Sequence, residues 1–228
     1  MAVDEALLEL VAETGMPVLR WYRWREATVS MGYFQKAEEL DKRLTELPVV
    51  RRLTGGGALV HEFELTYSLI LPAALVTTRP TEEFYDLVHR CCADCLIEAG
   101  FPVEARGTNR AFADESFLCF ARGDSHDLIC AGFKVLGSAQ RRRRGNILQH
   151  GGLLLAAARA APELKGLRDL AASEVPGDLD EQVSFRIARE LNLELVPSVL
   201  LARERQLTEE LSSTRYRSTD WTVSRRAL

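Results

Sequence analysis

Short runs that alternate apolar and polar residues are interleaved in this chain with longer runs of helical spacing, without a regular β–α–β repeat. That irregular order constrains the fold more than any single motif. Residues 3–14 carry Leu7, Leu8, Leu10 and Val11 at helical spacing, and Gly15-Met16-Pro17 punctuates their end. Val18 to Trp24 alternates as a strand does, and Thr28 to Phe34 reads as its hairpin partner. Lys36 to Leu47 predicts a charged amphipathic helix that ends before Pro48. Val49–Leu53, Ala58–His61 and Leu65–Leu71 read as strands, broken by a triple glycine. Thr81, with Glu82 and Glu83 behind it, predicts the N-cap of a helix reaching Gly100. Asp127–Ala131 and Phe133–Gln140 predict two strands turning at Gly132, Ile147–Leu155 another strand, and 180–192 and 198–211 helices. This order favours an α/β (α+β) fold, a mixed sheet flanked by helices, over a doubly wound one.

With 228 residues, 46% of them apolar, the chain suits a single domain over 1–228 with a substantial core. A net charge of −4 argues against bulk nucleic-acid binding, and no run of apolar residues is long enough for a membrane span. The N-terminal residues are acidic and lack a basic segment, against a secretory signal. Five cysteines without framework spacing suit a reducing, cytoplasmic setting. Of the 29 basic residues only Lys36, Lys42, Lys134 and Lys165 are lysine, so each raises the question of whether ammonium chemistry is needed there.

Gly55-Gly56-Gly57 reads either as a hairpin turn or as backbone that a bound group approaches closely. Arg51 and Arg52 precede it, and backbone N–H groups beside a guanidinium can receive a carboxylate, a phosphate or a developing oxyanion. No Gly-Lys-Ser/Thr follows, so it is not a Walker loop. Cys119, within Phe117-Leu118-Cys119-Phe120, reads as a core cysteine or, with Lys134 downstream, as a nucleophile, because an ammonium beside a thiol favours the thiolate. Cys130 reads as core. Cys91, Cys92 and Cys95 share a predicted helix without the further ligands a zinc site needs, so no metal is expected. His61 and His150 flank glycine-containing motifs and read as structural residues or as bases; His89 and His126 have no supporting context. Arg141 to Arg144 reads as a solvated loop or as a docking patch for an acidic protein. The tail, with Tyr216 and Trp221, is expected to dock on the domain.

Taken together, four segments in order resemble the biotin/lipoate protein ligase superfamily. They are Leu19–Trp24 with Thr28–Gln35; Arg51-Arg52-x-Thr54-Gly55-Gly56-Gly57 through Val60-His61 and Glu64–Ser68; Lys134–Arg142 followed by Gln149-His150-Gly151; and the Tyr216…Trp221…Arg225-Arg226 ending, with Arg215 where the family has lysine. The resemblance implies a mixed, largely antiparallel sheet flanked by helices, the catalytic-domain fold, with no room for the accessory C-terminal domain of many ligases. Two chemistries occur in the superfamily. Its ligases activate lipoate with ATP and typically carry Asn-Asp before the lysine strand and Gly-Asn-Ala within it. Its octanoyltransferases form a cysteine thioester without ATP. Cys119-Phe120 before the lysine strand, His126-Asp127, and Gly137-Ser138-Ala139 look like the cysteine-using, Bacillus-type branch. Leu118 stands where proline is expected there, and Glu62 where aspartate is commoner.

The resemblance implies octanoyl transfer from acyl carrier protein to a lysine of a lipoyl domain or of the glycine-cleavage H protein. Cys119 and Lys134 are then catalytic. Arg51, Thr54, Gly55, Gly56, Gly57, His61, Gly137, Ser138, Ala139, Gln149 and His150 bind substrate, with Arg51 near the polar mouth of an acyl slot. No cofactor is expected; ATP and magnesium enter only if the chain is instead an ATP-dependent lipoate ligase. A lipoyl amidotransferase would share the cysteine chemistry, and a non-catalytic acyl-binding module would share the fold without turnover.

Overall fold

The computed structural model describes residues 1–77, 79–80, 82–108, 118–119 and 123–226. Thr81, expected as a helix cap, and Phe117 and Phe120 beside Cys119 lie outside the described residues. The elements in chain order are α1 (Ala2–Thr14), β1 (Val18–Tyr22), β2 (Thr28–Met31), β3 (Val49–Arg51), β4 (Leu59–His61), β5 (Glu64–Leu71), α2 (Ala73–Val76), α3 (Glu82–Glu98), β6 (Val103–Ala105), β7 (Leu128–Cys130), β8 (Phe133–Arg143), β9 (Asn146–Leu154), α4 (Leu167–Leu170), α5 (Leu179–Leu191), α6 (Ala202–Leu211) and α7 (Thr219–Ser224).

Six strands form one antiparallel sheet in the order β1-β5-β9-β8-β7-β6, and three form a second in the order β3-β2-β4. The pairing of β2 with β3 is parallel, so the fold is the mixed, largely antiparallel one expected. Every residue of β5 and β9 is buried, because α3 and α5 cover one face of the large sheet while α1 and the small-sheet side cover the other. On one face Leu65, Tyr67, Leu69 and Leu71 of β5 meet Phe84, Val88 and Cys92 of α3 and Val183 and Ile187 of α5. On the other, Ile70 and Leu148 pack with Leu7, Leu8 and Val11 of α1. The side-chain period of two thus sends alternate residues of each central strand into different cores.

Three local expectations are corrected. Strands β1 and β2 are not a hairpin: β1 pairs with β5, whereas β2 leaves for the centre of the small sheet, where all four of its residues are buried. The intervening residues 23–27 have no two-residue turn signal to hold a hairpin. Lys36–Leu47 is not one helix but two short 3₁₀ turns, Ala37–Glu39 and Lys42–Leu44. Leu40 is extended (ψ 128°), and the Asp41 carboxylate caps the second turn through the Arg43 N–H. Arg141–Arg144 is not a loop: three of its arginines belong to β8, and Arg144-Gly145, both at positive φ, make the turn into β9. Arg143 is ion-paired with Glu5 and Glu9 of α1.

The tail docks as expected. Trp221 is buried and its Nε1–H donates to the Arg51 carbonyl, while the Tyr216 hydroxyl donates to Glu5. Among the described residues no helix is long and apolar enough to cross a membrane.

Candidate active site

Lys134 reaches the site because β8 is bulged. Strand β7 pairs Leu128 with Leu136 but Ile129 with Lys134, which leaves Val135 without an opposite residue. In an unbroken strand Lys134 would share the α3 face with Leu136. The extra residue instead puts both Val135 and Leu136 into the α3 core and turns Lys134 to the face of Gly137. Gly137 makes room for it: a Cβ there would lie 2.4 Å from Lys134 Cε and 2.7 Å from Nζ.

Cys119 comes from the opposite side. Leu118 is buried in the small-sheet cluster with Val29 and Val60 and bridges Ala58, and the Cys119 N–H donates to the Ala58 carbonyl at 2.7 Å. This brings Cys119 Sγ to 3.8 Å from Lys134 Nζ, and Nζ donates to the Cys119 carbonyl at 3.4 Å. The ammonium is also ion-paired with Asp127 at 2.9 Å. Burial pushes the Asp127 carboxyl up, and Lys134 opposes that shift.

Cys119 opens into a cavity between the two sheets. Gly137, Ala139 and Gly152 of the large sheet, Gly56 and His61 from the small-sheet side, and His150 line it. Thr54 meets His150 edge-on, Oγ1 to Nε2 at 2.5 Å. Burial pushes His150 down, while the neighbouring Asp4 carboxylate opposes.

The two arginines differ sharply. Arg52 borders the cavity, and its guanidinium donates to the carbonyls of Ser30, Gly55 and Gly57, which shapes the glycine loop. Arg51 is not at a polar mouth. Its guanidinium is buried among the carbonyls of Gly32, Tyr33, Gln35 and Thr222, where it ties the tail to the small sheet. The glycine loop is held from both sides, since a Cβ on Gly32 would lie 1.9 Å from the Gly56 carbonyl oxygen. Gly56 itself has a φ of 87°, which glycine tolerates and other residues resist.

His61 is held at both nitrogens, by the Glu64 carboxylate at Nδ1 and the Ser30 hydroxyl at Nε2, and it stacks on Trp24 with ring centres 3.9 Å apart. That leaves it a structural wall of the cavity. Gln149 and the Ser138 hydroxyl lie on the α3 side of the sheet in one chain of hydrogen bonds. Gln149 Nε2 donates to Tyr67 Oη, which meets Ser138 Oγ, which meets His89 Nε2. His89 Nδ1–H donates to the His126 carbonyl, so Nε2 is the acceptor of the Ser138 hydroxyl. Burial pushes His89 down to about 4, consistent with a neutral ring.

Sequence reasoning missed Asp127 as a site residue and gave His89 no context. The turn Ala131-Gly132 alone would set Leu128 opposite Val135 and Asp127 opposite Leu136. Only the bulge at Val135 moves Leu128 opposite Leu136 and Asp127 beside Gly137, so local pattern held no signal for it. His89 could not be placed without knowing which face of α3 meets β8. Cys91, Cys92 and Cys95 are buried core residues of α3, and among the described residues no three His, Cys, Asp or Glu side chains are grouped to hold a metal ion.

A family model described as the lipoyl protein ligase A/B catalytic domain matches residues 1–172. Octanoyltransferase LipM of Brevibacillus brevis is 33% identical to this chain, over 99% of the chain and 94% of the relative. LipM of Moorella thermoacetica is 32% identical over 97% and 92%. Among solved structures, Ta0514 of T. acidophilum with bound lipoic acid superposes with a TM-score of 0.78 at 22% identity, over 97% of this chain and 92% of that one. A lipoate-protein ligase A bound with ATP gives 0.76 at 21% identity, over 97% and 92%. These two likenesses establish the shared fold. By sequence over most of its length, the chain belongs to the lipoyl protein ligase A/B catalytic domain family.

Proposed function

We propose that this protein is an octanoyltransferase of lipoate biosynthesis that works through an acyl-thioester on Cys119. The observation that carries the reading is the Lys134 ammonium 3.8 Å from Cys119 Sγ at the edge of a cavity lined by small residues. An ammonium at that distance stabilises the thiolate, the form of cysteine that attacks carbonyl carbon. Relatives over most of the chain's length bear the name octanoyltransferase LipM, which supports the same reading.

In the first half-reaction the Cys119 thiolate attacks the thioester carbonyl of octanoyl-acyl carrier protein. The donor C–S bond breaks, the donor sulfur leaves as a thiolate that takes a proton from solvent, and an octanoyl–Cys119 thioester remains. In the second, a lysine amine of a lipoyl domain or of the glycine-cleavage H protein attacks that thioester. The new C–N bond forms, the C–S bond to Cys119 breaks, the amine nitrogen releases one proton to solvent, and Sγ returns as thiolate against Lys134. The scheme calls for neither nucleotide nor metal. Gly137, Ala139, Gly152 and Gly56 leave space for an alkyl chain, and burying it contributes about 0.8 kcal/mol per methylene.

Intact mass measured after mixing with octanoyl-acyl carrier protein, without ATP, tests the proposal. A hydroxylamine-labile octanoyl adduct that disappears in Cys119→Ala supports it. Absence of the adduct, together with ATP-dependent attachment of free lipoate to a lipoyl domain, replaces it with the ligase reading.

A further inference from the structure

We propose that Asp127 is the counter-ion that holds the Lys134 ammonium in place through the acylated half of the cycle, when Cys119 is a neutral thioester. The inference rests on the acyl-thioester reading above and goes beyond its cysteine–lysine pair. Among the described residues, the Asp127 carboxylate at 2.9 Å and Cys119 Sγ at 3.8 Å face the ammonium in the free enzyme. Acylation turns the thiolate into a neutral thioester and removes one of them. The ammonium remains on a side chain only 5% exposed, and a buried charge that loses part of its compensation is drawn away toward solvent unless another partner holds it.

Asp127 is built not to move. It is itself 3% exposed, its Oδ2 accepts the Asp124 N–H at 2.6 Å, and its carbonyl accepts the Arg106 N–H at 2.8 Å. It sits at the foot of the β7–β8 hairpin, beside the glycine over which the lysine lies. Among the described residues Arg52 is a second cation that interacts with Cys119, and it already donates to the carbonyls of Ser30, Gly55 and Gly57. Lys134 is therefore the cation that must be present when the thiolate leaves in the second half-reaction, and Asp127 is its positioning residue.

The two half-reactions have to be read separately. Single-turnover acylation by octanoyl-acyl carrier protein, and transfer from the isolated acyl-enzyme to a lipoyl domain, are measured in wild type, Asp127→Asn, Lys134→Met and the double variant. Asp127→Asn is expected to slow transfer at least tenfold and acylation less than threefold. In the Lys134→Met background the same substitution is expected to change either rate less than twofold, because Asp127 acts through the lysine. Asp127→Glu, which keeps the charge, is expected to retain more of the transfer rate than Asp127→Asn. Should Asp127→Asn fail to fold, Asp127→Ser takes its place in the cycle.

Equal slowing of both halves, an undiminished effect without Lys134, or no effect at all each overturns the proposal. A wild-type protein that forms no acyl-enzyme overturns the transferase reading itself, and that result precedes any comparison of variants.

Discussion

Replacing Gly137 by alanine separates the placement of Lys134 from the stability of the sheet. The new Cβ would lie 2.4 Å from Lys134 Cε, 2.7 Å from Nζ and 3.3 Å from Asp127 Oδ1. Comfortable contact needs about 3.5 Å, so the end of the lysine must retreat by about 1 Å or more. At an effective dielectric of about 20, the attraction between unit charges falls from about 4.4 kcal/mol at the observed 3.8 Å to about 3.3 kcal/mol near 5 Å. A loss of about 1 kcal/mol corresponds to roughly a fivefold slower reaction of Cys119, before any loss of alignment is counted.

Stability should change by less than about 1 kcal/mol, because alanine is better tolerated than glycine in a strand and only a flexible side-chain end must move. Gly151→Ala is the control. Its Cβ would meet the Gly137 carbonyl oxygen and Tyr67 Cε1, both at 2.6 Å, and neither can yield easily, so about 1–3 kcal/mol of stability is expected to be lost. Urea titration and the single-turnover octanoylation rate are measured for both variants. Wild-type acylation in Gly137→Ala, or a collapse of its stability to the level of Gly151→Ala, would refute the argument.

Of the five thiols Cys119 alone is partly exposed, so brief treatment of the native protein with iodoacetamide is expected to label Cys119 and spare Cys91, Cys92, Cys95 and Cys130; peptide mapping reads this. Arg51→Ala leaves the carbonyls of Gly32, Tyr33 and Gln35 without their shared donor and unclasps the tail, and about 3 kcal/mol or more should be missing in chemical denaturation. His89 makes stability depend on pH. Its ring binds a proton near 6.5 when unfolded but only near 4 when folded, so unfolding takes up a proton between those values. The stability it contributes is complete above pH 6.5 and falls by about 3 kcal/mol as pH drops to 4. His89→Gln should flatten that slope, and an unchanged slope would show that the ring is already protonated in the fold.

Much of the fold and part of the site were legible in the sequence. Helical spacing located α1, a capping signal located α3, helical patterning located α5 and α6, alternation located β1, and short strand-like runs located β5, β7, β8 and β9. Local period is set by the chain itself, so a reader of the chain recovers it. Partnership is not. Residues 28–34 look equally suited to a hairpin with β1, and only the small sheet, with Val49 and Val60 waiting on either side of Val29, decides otherwise. Arg51 and Arg52 are neighbours of identical type, yet alternation along the chain sends one to the tail and the other to the cavity.

The sequence by itself determined the reagents: a cysteine, a lysine in a chain that otherwise uses arginine, and glycines where something must pass close to backbone. It could not determine that they meet. In a regular strand Lys134 would lie in the α3 core with Leu136, and Cys119 would be one more buried thiol. A single extra residue, Val135, rotates the lysine to the other face. Leu118 pins the cysteine against Ala58, and the bare Cα of Gly137 leaves the path between them open. Such a meeting depends on register and on contacts far apart in the chain, which local pattern does not encode, so only the tertiary structure could set the ammonium beside the thiol and Asp127 behind it.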